Sequence, residues 1–122
     1  MKTAAQPDRS AAPESAPASD IGKALDLLWT RFVPEIRKRV DLLGAAASAC
    51  AANNLSDTER ESAHAAAHKL AGTLGTFNLT RGTDLAREFE LAFAGDRSPS
   101  PAQAERLAAI AAELRTMIDN RR

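Results

Sequence analysis

The chain has one cysteine, one tryptophan, four phenylalanines and no tyrosine. A single thiol cannot close an internal disulfide, which fits a reducing compartment; Cys50 itself reads as a small buried helix residue. So few aromatics argue against stacking platforms for single-stranded nucleic acid and against an aromatic-rich enzyme pocket. Neither sign of charge prevails: 16 basic and 16 acidic residues give a formal net charge of zero, so no nucleic-acid footprint is expected. No apolar run approaches the roughly 18 residues of a membrane span, and the N-terminus lacks the apolar stretch of a signal peptide. There is no glycine-rich phosphate loop of the Walker type, so the chain is not expected to bind ATP or to phosphorylate itself. Nor does it show the pocket and orienting acid of a Ser-His-Asp or Cys-His hydrolase. The expectation is a cytoplasmic chain that is not an enzyme, with neither nucleic acid nor membrane as partner.

What the chain does have is alanine, few β-branched residues, and apolar positions at helical spacing. Its 122 residues suffice for one domain of modest core. Residues 1–18 are Ala/Pro/Ser-rich without apolar periodicity and are expected to be a disordered tail, leaving 19–122 as a helical bundle. Ser19 or Asp20 can cap a first short helix carrying Ile21, Leu25, Leu28 and Phe32 as its stripe, with Trp29 beside it as a packing anchor. Pro34 suits a first helical turn, so a break and restart is expected there, with a kink in one long helix as the alternative. The second helix then buries Val33, Ile36, Val40, Leu43, Ala47 and Cys50; Arg37, Lys38, Arg39 and Asp41 lie off that stripe, on a solvated face or a basic contact surface. Asn53-Asn54 breaks it. Ser56-Asp57-Thr58-Glu59 has capping-box spacing and opens a third helix, running to about Phe77. A fourth turns Leu85, Phe89 and Ala92 or Phe93 inward and closes at Gly95. Ser100-Pro101-Ala102-Gln103 starts the last, with Leu107, Ile110, Leu114 and Met117 as its stripe. The sum is an all-α, antiparallel up-down-up-down four-helix bundle with an extra short N-terminal helix.

The third helix organises the rest. At about 100° per residue, Ala63, Ala66, Leu70, Leu74 and Phe77 gather on one side. Leu70, Leu74 and Phe77 fall roughly 180–240° from His68, whereas Glu61, His64, Gly72 and Gly75 fall within about 40° of it. His68 therefore faces away from the core. Each glycine on its face costs about 1 kcal/mol relative to alanine inside a helix, and an ordinary solvated face would carry Ala, Lys or Glu instead. The two glycines clear the ground for something bulky to approach. An exposed imidazole, with an unperturbed pKa of about 6.5, is partly neutral at cell pH and has a ring nitrogen free as a nucleophile. Lys69 beside it can pair with an anion carried on the ring. These parts suit transient carriage of a phosphoryl group.

His68-Lys69-Leu70-Ala71-Gly72, followed by Leu74-Gly75 and then Leu85-Ala86-Arg87-Glu88, resembles the histidine-containing phosphotransfer (HPt) domain over roughly residues 20–120. The resemblance implies a carrier that exchanges a phosphoryl group between His68 and the aspartate of a response-regulator receiver domain, fed by an upstream hybrid histidine kinase in a two-component phosphorelay. It implies no intrinsic cofactor, with Mg²⁺ supplied by the receiver, and a partner-facing surface at Lys69, Gly72, Gly75 and His64. One position departs: many members carry lysine three residues after the histidine, where this chain has Ala71, so the phosphate-facing charge rests mainly on Lys69.

Two rival readings stand beside it. His64 and His68 are an i, i+4 pair of the kind that chelates zinc or nickel, with Glu61 as a third donor, but no acid lies between them to act as a metalloprotease base; no metal site is expected. The other rival is a helical docking or oligomerisation module without phosphotransfer, favoured by Ala71 and opposed by the intact histidine and its glycines.

Overall fold

The computed structural model describes residues 15–95 and 97–121, with side chains from residue 20 onward. Among these there are four helices and no strand: α1 (Ser15–Ala51), α2 (Asp57–Thr76), α3 (Thr80–Ala92) and α4 (Pro101–Asn120). The tail expected over 1–18 lies outside the described residues as far as residue 14; from Ser15 the chain is helical.

The break expected at Pro34, and with it a separate short N-terminal helix, does not occur. α1 runs through Pro34 without interruption. Proline removes one backbone donor and crowds the carbonyl a turn earlier, but a 37-residue helix keeps its ladder on both sides, and one lost bond does not end it. One turn before, the Thr30 hydroxyl donates to the Asp26 carbonyl at 3.1 Å, another local competitor of the helical ladder. The chain divides into two compact units at this point, Met1–Phe32 and Val33–Arg122. In the first, Trp29 is buried at 5% exposure, as a packing anchor should be, and Leu25 of the expected stripe is half-buried, but Ile21, Leu28 and Phe32 are exposed.

In the second unit, burial follows the helical period. Ile36, Val40, Leu43, Ala47 and Cys50 are buried on α1, with Ala46 added. On α2 they are Ala63, Ala66, Leu70 and Leu74, then Phe77 just past its end, with Ala67 and Ala71 widening the stripe. Leu85, Phe89 and Phe93 follow from α3 and its end, the two rings stacked at 4.7 Å. On α4, Leu107, Ile110 and Leu114 are buried as expected, but Ile118 takes the last core position and Met117 is half-buried. Met117 still packs against α3 at Gly82, where a Cβ would lie 2.9 Å from Leu74 Cδ1 and 3.0 Å from Met117 Sδ.

Cross-helix contacts fix the register. α1 meets α4 through Arg37–Asp119 (2.9 Å) and Asp41–Arg115, and the loop before α4 where the Cys50 thiol donates to the Pro99 carbonyl (3.1 Å). α2 meets α3 where the Thr83 hydroxyl donates to the Ala71 carbonyl (3.1 Å), and the turn after α3 where Arg60 donates to the Gly95 carbonyl. α3 meets α4 through Arg81–Glu113 and Glu88–Arg106. The capping box at Ser56 forms in full, and at Ser100 its Gln103 half forms. The Ser56 hydroxyl accepts from the Glu59 amide and the Glu59 carboxylate from the Ser56 amide; Gln103 Oε1 accepts from the Ser100 amide at 2.8 Å. Asn53 and Asn78, at φ of 57° and 61°, make the left-handed turns after α1 and α2.

Candidate functional site

The imidazole of His68 stands on α2 with its side chain 73% exposed. Leu70 and Leu74, both fully buried, fix the rotation of the helix about its axis and so aim His68 outward. Its Nδ1 lies 2.8 Å from Glu90 Oε2 on α3. An ionised carboxylate only accepts, so Nδ1 carries the proton and donates. In a neutral ring the other nitrogen, Nε2, then holds the lone pair. One hydrogen bond thus sets the tautomer, restrains the ring and leaves the outer nitrogen as the nucleophile. The Glu90 side chain itself is only 22% exposed.

His64 lies one turn earlier, its Nε2 3.8 Å from the same Glu90 oxygen. The acid that joins the histidine pair therefore comes from α3, and Glu61 is exposed. Among the described residues no group of three or more His, Cys, Asp and Glu is placed to hold a metal ion.

Two hollows open beside the imidazole. One, of ≈ 450 Å³, is lined by His68, Ala71, Gly72, Arg87, Glu90 and Leu91. The other is lined by His68, Lys69, Gly72 and Thr73 with Arg39 of α1. His68 and Gly72 are common to both, and Lys69 belongs to the α1 side. A Cβ on Gly72 would meet nothing within 4 Å, so no internal packing requires glycine there. Gly75 is placed differently: a Cβ there would sit 3.5 Å from Thr83 Oγ1, against α3.

Sequence reasoning missed Glu90, Arg87, Arg39 and Leu91 as parts of this site. In the sequence Arg87 stands within the Leu85–Glu88 motif without a site role of its own, and Arg39 stands on a solvated or basic face of α1. Only a helical spacing signal was available for the three on α3: Arg87, Glu90 and Leu91 stand at i, i+3 and i+4, one face of a helix. Leu91 is 76% exposed at the rim of the larger hollow, an apolar contact offered to whatever approaches His68. No described helix is long and apolar enough to cross a membrane.

An exposed, tautomer-fixed imidazole flanked by small residues and cations can take up and release an electrophilic group on Nε2. Protein RcaC of Microchaete diplosiphon is 31% identical over 96 residues, which are 79% of this chain and 15% of that protein; the chain spans less than a sixth of its curated relative. No solved structure matches. The family model of the Hpt domain matches residues 27–122, from before Trp29 to the end of α4 and with all of the His68 site inside it: the chain belongs to the Hpt domain family.

Proposed function

We propose that the chain carries a phosphoryl group on His68 Nε2, to or from the aspartate of a response-regulator receiver domain, within a phosphorelay fed by a hybrid histidine kinase. The observation that carries the proposal is the His68 Nδ1–Glu90 hydrogen bond of 2.8 Å. Nε2 attacks the phosphorus of the aspartyl phosphate in line; a P–N bond forms as the P–O bond breaks, and the aspartate leaves as its carboxylate. The ring, now cationic, keeps its Nδ1 proton against Glu90, which stabilises the charge as it develops. Lys69 faces the phosphoryl group from the α1 side, and Gly72 admits the rim of the receiver. The Mg²⁺ that such a transfer uses belongs to the receiver, and no residue of this chain is assigned to hold it. The four helices, with the cross-contacts above, are read as an antiparallel up-down-up-down bundle working in the cytoplasm as a carrier with no kinase activity of its own.

The test is phosphotransfer from a panel of phosphorylated receiver domains in Mg²⁺ to the wild-type chain and to His68→Gln. Acid-labile, base-stable label on the wild type and none on the variant is the expected result. Absence of label from every receiver, with an intact helical spectrum, would overturn the carrier reading in favour of a docking bundle.

A further inference from the structure

We propose that Arg87, reaching from α3, is the cation that holds the phosphoryl group on His68, in place of the lysine absent at position 71. The inference rests on the carrier reading above and adds to it the residue that binds the transferred group.

The argument begins with an absence. Ala71 lies three residues after His68, is buried at 5% exposure and lines the α3-side hollow beside the imidazole. Nothing on α2 supplies positive charge to that side, since Lys69 lines the other hollow. Yet a dianionic group on Nε2 stands at the border of both, because His68 and Gly72 are shared between them. On the α3 side it also meets the ionised carboxylate of Glu90, which repels it. A cation is needed there to offset that repulsion.

Arg87 is the one basic residue lining that hollow. It stands one turn before Glu90 and Leu91 on the same face of α3. Its surroundings leave it available. Arg81 and Arg106, on the far side of the α3–α4 pairing, are each held by two contacts to a single glutamate. Among the described residues, Arg87 has neither a hydrogen bond nor an ion pair. A guanidinium offers two parallel N–H donors to two phosphoryl oxygens, which an ammonium at position 71 would not do. The register that brings Arg87 opposite His68 is tied by the Thr83 hydroxyl on the Ala71 carbonyl, one turn before Arg87 on α3.

The experiment uses phosphoramidate, a small donor that needs no protein partner, with ³¹P NMR as the readout. Nε2 attacks the phosphorus, the donor's P–N bond breaks, and ammonia leaves with its electron pair; the ring keeps its Nδ1 proton. In the wild type, the pH at which the phosphohistidine resonance titrates should lie below that of Arg87→Gln, because a neighbouring cation favours the dianion. Labelling of Arg87→Gln should be about fivefold slower at low salt, the upper end for an exposed ion pair, and the difference should shrink as salt is added. Placing the charge where the pattern lacks it, as Ala71→Lys in the Arg87→Gln background, should restore both readings. A structural role for Arg87 would move neither the titration nor the salt dependence. If the wild type labels and Arg87→Gln titrates and labels identically, the assignment of Arg87 falls and the carrier reading stands. If neither phosphoramidate nor any receiver labels the wild type, the carrier reading falls and Arg87's role with it.

Discussion

On one side of α3, Glu88 accepts from two guanidinium nitrogens of Arg106 at 2.8 and 2.7 Å; on the other, two residues further on, Glu90 accepts from the imidazole of His68 at 2.8 Å. The distances are alike and the partners are not. Arg106 is always charged, so Glu88 is held below the usual carboxylate range by that hydrogen bond, and the pair is chemically finished. Arg81 and Glu113 repeat the arrangement. A histidine is unfinished by comparison: its bond to Glu90 uses one ring nitrogen and leaves the other reactive. The α3–α4 pairing closes its charges on themselves, while the α2–α3 pairing leaves Nε2, Arg87 and Leu91 facing outward. What separates a surface ion pair from a working site is thus the valence left over after pairing.

The sharpest way to break that comparison is to remove each carboxylate in turn. Glu90→Ala should slow labelling of His68 by about 10- to 100-fold, the usual effect of losing an orienting partner, with little change in the thermal melt. Glu88→Ala should leave the labelling rate where it was. Equal rates for the two variants would erase the distinction. The glycines extend the comparison. Gly82→Val, pushed into Leu74 and Met117, should destabilise the fold by about 1–3 kcal/mol in denaturant titration. Gly72→Ala meets only open space and should stabilise it, by up to about 1 kcal/mol, while slowing transfer from a receiver. The smallest effect is in acid. Glu88 and Glu113 are depressed in the fold by Arg106 and Arg81. Their contribution is therefore complete above the unfolded carboxylate value of about 4.3 and is lost as pH falls through the lower folded values. Melts between about pH 5 and 3 should lose part of that acid sensitivity in an Arg81→Gln, Arg106→Gln double variant.

Much of this was legible in the sequence, for a definable reason. The stripes at 36–50, 63–77, 85–93 and 107–114 are local: each helix reports its own buried face through its own spacing. The outward aim of His68 follows from its position relative to Leu70 and Leu74, and the caps at Ser56 and Ser100 are three-residue patterns. Glu90 and Arg87 were not legible as site residues, because their nearness to His68 depends on the register between two helices, set here by Thr83 on Ala71 and by packing at Gly82. Local chemistry also misled. Proline argued for a break at position 34, yet α1 continues through it.

His68 is the twelfth of the twenty residues of α2, so more than two turns of helix lie on either side of it. Fraying reaches little beyond the terminal turn, and both ends here are secured, by the Ser56 capping box and by Phe77 in the core. The backbone beneath the imidazole is therefore ordered before any partner arrives. Any partner docking on this face has only exposed side chains such as Lys69, Arg87 and Leu91 to immobilise, at about 0.5–1.5 kcal/mol for each rotamer-rich one. With so little order to create on binding, and so little to release on parting, the surface is suited to brief encounters repeated many times.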